Sequence, residues 1–281
     1  MSEAECILVT SCKGGVGKST VSANLAAAYA MSGMNTVIID CDFGMRCLDL
    51  IMGVSENIVY DLYDVIFRDI PIKKAAVPVR PELGGSLSLI AAPYGYSSVY
   101  AGMDGGGRKM FETEHFVRLI SLCREQFSAD RIIIDTPGDI SAPLVLASSV
   151  CTKALVLATH QSASLRAAER TGAVLTELGV GDRRLIINGY DSEAVRCGAL
   201  GVLDTIDLTG LHLCGVVPFD PFFRDAQDDG LLICDPFFTV RKRISDGARA
   251  IMNIRSRLEG DNIPLFTGFR KPNVYRRSML R

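Results

Sequence analysis

A chain of 281 residues that is 48% hydrophobic and 22% charged is long enough to bury a full core, as one large domain or two small ones. That composition excludes a disordered, collagen-like or small disulfide-stapled protein. Lys plus Arg number 30 against 32 Asp plus Glu, a net charge of -2, so no overall field advertises a nucleic-acid partner and none is expected. The balance is uneven, with 11 basic and 3 acidic residues from Arg241 onward, a net of +8, which leaves -10 on residues 1–240.

The first ten residues, MSEAECILVT, carry no basic leader and no long apolar stretch, and no later run approaches the length of a membrane span. A cytoplasmic protein is expected. In chain order, short Ile/Val/Leu-rich runs at 6–11, 36–40, 87–92, 131–135, 154–159, 184–188 and 213–217 read as strands. Segments of helical period fall between them at 18–32, 58–67, 112–127, 165–178 and 239–258. Gly33 and Gly179 stand where left-handed caps would end the first and fourth helices. This alternation predicts an α/β fold, a doubly wound and mostly parallel sheet covered by helices on both faces. No repeat or linker divides the chain: residues 1–260 read as one domain, 93–107 as a long surface loop, and 261–281 as a loosely ordered basic tail.

The first strand runs directly into Cys12, Lys13, Gly14, Gly15, Val16, Gly17, Lys18, Ser19 and Thr20, after which helical period begins. A strand, a glycine-rich turn and a helix opening on Lys-Ser form a phosphate cradle. Glycines let backbone amides turn toward phosphate oxygens, and the helix N-terminus adds positive potential. Lys18 is placed to reach the terminal phosphates and Ser19 to hold a magnesium ion. The usual pattern has a glycine where this chain has Cys12.

Lys13 gives the loop its particular character. The run from Lys13 to Thr20 resembles the deviant Walker A motif of the MinD/ParA family of ATPases, in which a second, signature lysine precedes the glycines and reaches the phosphates across a dimer. Residues 40–53, DCDFGMRCLDLIMG, followed by Val59-Tyr60-Asp61-Leu62, are similar to the switch I region of the family's MinD branch, and the resemblance spans residues 5–258. It implies a P-loop ATPase that uses ATP and Mg2+, forms an ATP-dependent homodimer and hydrolyses ATP to ADP and phosphate. It further implies placement of the division site, with a division inhibitor and an ATPase-activating protein of the Min type as partners, at the inner face of the cell membrane.

Further positions support nucleotide chemistry. Residues 131–135, RIIID, are an apolar strand ending in an acid, which places Asp135 at the sheet edge near magnesium. Thr136-Pro137-Gly138-Asp139 resembles the family's switch II, although MinD members usually have Pro-Ala-Gly where this chain has Pro-Gly-Asp. Asp40 and Asp42, two apart at the end of the second strand, project alike from that edge. By resemblance, Asp42 positions the attacking water and Asp40 lies near the magnesium shell. Asn188 and the segment Pro218-Phe219-Asp220 sit where the family grips adenine, with Phe219 replacing an acid usual in MinD.

His115, His160 and His212 are scattered and form no catalytic or metal-binding group, and the nine cysteines never come closer than six positions, so no C-x-x-C framework arises. Reduced core or pocket thiols are expected. Two other classes share this loop: a partition or flagellar-placement switch of the ParA type, and an iron-sulfur carrier or reductase. Residues 269–281, FRKPNVYRRSMLR, hold five cations and no acid. In a helix started at Pro272, Val274, Tyr275 and Met279 would fall within about 140° of one another, a candidate contact with anionic membrane.

Overall fold

The computed structural model describes residues 4–43, 45–79, 84–94, 110–235 and 244–268. Outside them lie Gly44 of the switch-like stretch, most of the loop expected over 93–107, the first residues of the helix expected over 239–258 and the basic segment 269–281. Within the described residues that helix starts at Asp246, where the Ser245 hydroxyl accepts the Ala248 amide.

The strands are β1 (Glu5–Thr10), β2 (Thr36–Asp40), β3 (Ala76–Pro78), β4 (Leu87–Ile90), β5 (Arg131–Asp135), β6 (Lys153–Ala158), β7 (Asp182–Tyr190) and β8 (His212–Pro218). They form one eight-stranded sheet in the order β3-β4-β2-β5-β1-β6-β7-β8, and every pairing is parallel except β3 with β4. All seven expected strands are present. The eighth, β3, is a three-residue edge strand ending in Pro78, too short to show a period, and its proline is tolerated because an edge strand has no outer ladder to complete.

Parallel strands covered on both faces alternate their side chains between two apolar layers. Leu8, Ile39, Ile132, Ile134 and Val156 face one layer, and Ile7, Val9, Ile38, Ile133 and Leu155 face the other. The second layer is closed by α1 (Lys18–Met31) and α11 (Asp246–Leu258), which pack on each other. All ten residues from Val21 to Ala30 of α1 are buried, Ser22 and Asn24 among them, so this helix is covered all round and shows no amphipathic face.

The first layer is covered by α5 (Thr113–Phe127), α6 (Ala142–Ser148), α7 (Ser162–Glu177) and α9 (Val202–Thr209), with α3 (Leu62–Phe67) and α4 (Ile72–Ala75) toward the β3 edge. Left-handed backbone follows α1 at Gly33 and α7 at Gly179, as expected. The helix expected over 58–67 starts later, at Leu62, because Asp61 accepts the Tyr63 and Asp64 amides in a capping box. The short helices α2 (Leu48–Ile51), α8 (Ser192–Arg196) and α10 (Phe222–Asp228) complete the structure.

The segment after Gly260, expected to be loose, is fastened as far as Gly268. The Arg257 guanidinium donates to the carbonyls of Cys214, Ile263 and Pro264, Asn253 donates to the Thr267 carbonyl, and Phe266 is buried.

All nine cysteines are free: six are buried, Cys12 and Cys47 are half-buried and Cys197 is exposed. The thiols of Cys6 and Cys151 touch, with sulfurs 3.2 Å apart, and burial pushes the Cys151 thiol well above its usual range. These thiols behave as small core hydrophobes. Among the described residues no group of three or more His, Cys, Asp or Glu side chains stands close enough to hold a metal ion, and no helix is long and apolar enough to cross a membrane.

Candidate nucleotide site

The order in which the chain adds parallel strands reverses at β1. Its neighbours are β5 on one side and β6 on the other, and the crevice outside the carboxyl ends of strands at such a reversal is where open α/β sheets bind ligands. The ends of β1, β2 and β5 bring the Lys13–Thr20 loop, the Asp40–Asp42 pair and Asp135 to this one edge. A cleft of about 560 Å3 opens there, lined by Gly14, Lys18, Ser19 and Thr20 on the loop side and by Asp42, Cys47, Pro137 and Asp139 opposite. That volume suits a nucleotide-sized ligand.

The loop is held from behind. Asn188, at the end of β7, donates from Nδ2 to the Val16 carbonyl at 2.7 Å. Gly17 caps α1 in the left-handed region, and a β-carbon there would lie 2.3 Å from Asn188 Nδ2, so a larger residue would be strained and would push the Asn188 amide off the loop. The first-turn amides of α1 have no intrahelical acceptor, and with the helix dipole they suit an anion.

Lys18 is only 7% exposed. A β-carbon at Gly138 would come within 3.3 Å of Lys18 Nζ and 3.1 Å of the Gly14 amide, so the switch II-like segment lies directly on the loop. Asp139, the departure from the family pattern, is exposed at the mouth of the cleft, where its carboxylate accepts from Ser141 Oγ at 2.7 Å.

Asp135 accepts from Ser19 Oγ at 2.6 Å and from Ser22 Oγ at 2.7 Å. Burial is the main cause that pushes its pKa up to about 6, against those hydroxyl donors. Asp40 is its register partner on β2, and burial, reinforced by the Asp135 charge, holds Asp40 well above the usual carboxylate range. A serine hydroxyl and a buried carboxylate 2.6 Å apart are hard oxygen donors of the kind Mg2+ takes alongside water and phosphate oxygens, and a cation there would favour the charged carboxylate. The donor set therefore fits magnesium.

The Asp40 oxygens accept the amides of Asp42, at 2.9 Å, and Leu48, at 3.4 Å, so this side chain also shapes the switch I-like turn. Asp42 Oδ1 accepts the Met45 amide at 3.2 Å. Arg46, held at φ 40, pairs with Asp49 at 3.0 Å and lies over the Tyr94 ring.

Lys13 does not enter the cleft of its own chain: its Nζ donates to Gln161 Oε1, 3.0 Å away, just before α7. Burial raises the Cys12 thiol, with Thr171 as a side-chain hydrogen-bond partner, so a neutral group occupies the position where the usual loop has glycine. Asp220 accepts the amides of Phe222 and Gly247, at 3.1 and 2.9 Å, which ties α10 to the start of α11, while Phe219 is exposed beside it. His160 meets Tyr190, and His115 meets Phe67, edge to face, consistent with packing roles.

Gln161 and Gln227, which donates to Thr20 Oγ1 at 2.8 Å, belong to this site and to no motif. A lone glutamine carries no spacing signal, and each reaches the loop from far along the chain.

Comparison with known proteins agrees with this geometry. Residues 7–233 match the family model for the CobQ/CobB/MinD/ParA nucleotide binding domain. The chain is 33% identical over 259 residues to the septum site-determining protein MinD of Synechocystis, covering 92% of this chain and 90% of that one. The MinC:MinD cell division complex of Aquifex aeolicus contains a chain that superposes with a TM-score of 0.79 at 30% identity, covering 93% of this chain and 98% of that chain. MinD from Pyrococcus horikoshii, solved with Mg-ADP, shares the fold with a TM-score of 0.71 at 21% identity, over 91% and 96% of the two chains. Cradle, sheet topology and sequence lead to one conclusion: this chain belongs to the MinD/ParA family of P-loop nucleotide-binding proteins, with its strongest resemblance to septum site-determining MinD members.

Proposed function

We propose that this protein is an ATP-dependent dimerising switch of the MinD type, which hydrolyses ATP and regulates placement of the division site at the membrane. The observation that carries the reading is that Lys18, Ser19 and Asp42 line one cleft, with Asp135 buried behind it on Ser19 and Lys13 bonded to Gln161 beside the loop. In this reading Lys18 and the loop amides neutralise the terminal phosphates, while Ser19 and Asp135 hold Mg2+, with Asp40 behind them. The metal supplies charge neutralisation at the phosphate oxygens. Asp42 positions the attacking water. Asn188 and the turn at Pro218 and Asp220 border the base.

Lys13 acts across the dimer. Its bond to Gln161 is exposed, so water competes for both groups, and release costs little when a partner's phosphates become available. Lys13→Ala is expected to bind ATP within about threefold of the parent but to lose ATP-dependent dimers and most hydrolysis. Normal dimers on gel filtration would remove the signature-lysine assignment.

The partner of the Aquifex relative, MinC, supports a division inhibitor as partner here, and the Mg-ADP of the horikoshii relative supports Mg-nucleotide as ligand. For the membrane, each basic residue near anionic lipid contributes on the order of 1 kcal/mol, and residues 269–281 carry five. Two tails joined in one dimer would bind far more firmly than either alone, because the second contact is intramolecular. ATP-dependent, salt-sensitive sedimentation with anionic liposomes is expected, and it should vanish when residues 269–281 are deleted. Equal sedimentation of the truncated and full-length proteins would refute the membrane role.

A further inference from the structure

Helix α10 approaches the cleft from outside the recognised motifs. Gln227 Nε2 donates to Thr20 Oγ1 at 2.8 Å, a contact spanning 207 positions of sequence. Thr20 lines the cleft beside Ser19. We infer that Gln227 is a positioning residue for the bound nucleotide: it occupies a lone pair of the Thr20 hydroxyl and so aims the single hydroxyl proton at a phosphate oxygen. The inference rests on the reading of this cleft as an ATP site.

Thr20 differs from other threonines within helices of this molecule. A threonine within a helix ordinarily turns its hydroxyl back to the carbonyl four residues earlier. Thr171, Thr176, Thr205 and Thr209 all do so here, donating to Ala167, Gly172, Gly201 and Thr205 at 2.7–2.9 Å. For Thr20 that carbonyl belongs to Val16, which already accepts from Asn188 Nδ2 at 2.7 Å, and the Gly17 carbonyl, three residues earlier, accepts from Val21. A hydroxyl has one proton and two lone pairs. A carbonyl can take a second donor, yet among the described residues Thr20 Oγ1 donates to neither of these; with Gln227 donating to it, its proton is directed toward the space that the side chain lines.

Gln227 is itself firmly placed. Ala226 beside it is buried, and its own carbonyl accepts the Gly230 amide at 3.0 Å. Gly230 lies against Gly53 at the end of the switch I-like stretch: a β-carbon on Gly53 would come within 2.3 Å of the Gly230 carbonyl oxygen. One short arm thus touches both the phosphate loop and the switch segment.

The test is calorimetric titration of MgATP and MgADP into the full chain and its Gln227→Met, Thr20→Val and doubly substituted variants. Gln227→Met keeps the length and loses the donor. It is expected to weaken nucleotide binding three- to tenfold, Thr20→Val at least as much, and the double variant less than twofold beyond Thr20→Val alone. An unchanged affinity in Gln227→Met overturns the inference, as does its full loss persisting in the Thr20→Val background, since the effect would then be general packing.

Gln227→Glu provides a second route if the methionine variant fails to fold. Its carboxylate takes the Thr20 proton, so its loss should be greater with Thr20 present than with Thr20→Val, and equal losses in the two backgrounds overturn the inference. A parent protein that binds neither nucleotide removes the ATP-site reading and this inference together. Binding by the parent with no effect of either Gln227 substitution removes the inference alone.

Discussion

Replacing Lys18 with alanine is expected to abolish measurable ATP hydrolysis and to weaken MgATP binding by at least about 100-fold. Lys18 is buried at the mouth of the loop, against Gly138, and its charge acts on Asp135 from within the cleft. Hydrogen bonds to charged groups contribute about 1.5–3 kcal/mol each, and two such bonds to a terminal phosphate account for the expected factor. The measurement is equilibrium binding of a fluorescent ATP analogue with steady-state phosphate release. Retained binding within tenfold of the parent would show that Lys18 is not the principal phosphate ligand.

The second large effect separates binding from turnover. Asp42 lies across the cleft from the loop and is bonded to its own turn through Met45. Positioned acid–base groups contribute about 100- to 10,000-fold, so Asp42→Ala is expected to bind MgATP within roughly threefold while hydrolysis falls by at least about 100-fold. Single-turnover phosphate release after mixing with labelled ATP distinguishes the two steps. Loss of binding in parallel with hydrolysis would make Asp42 an organiser of the switch turn and remove it as a water-positioning group.

What was legible in the sequence follows from how each feature is encoded. Strands buried on both faces are contiguous apolar runs, so β1, β2 and β5 through β8 stand out wherever they fall. The phosphate loop is one uninterrupted stretch whose backbone does the binding. The short helices α2, α4, α8 and α10 contain four to seven residues, about one or two turns, in which a 3.6-residue period does not develop. The fastening of residues 261–268 depends on one arginine, Arg257, meeting three carbonyls, and a lone arginine announces nothing in a sequence. Gln161, Gln227 and the Gly53–Gly230 contact were hidden for a related reason: they join segments more than a hundred residues apart. Asp40 was legible as a strand-end acid, but its bonds to the Asp42 and Leu48 amides required the folded turn.

Nucleotide-dependent association is measured directly by light scattering coupled to gel filtration. With MgATP the parent protein, and more persistently Asp42→Ala, should elute at twice the mass of one chain, and with MgADP or no nucleotide at the mass of one. The same single-chain mass in all three conditions, for protein shown to be saturated with ATP, would contradict it.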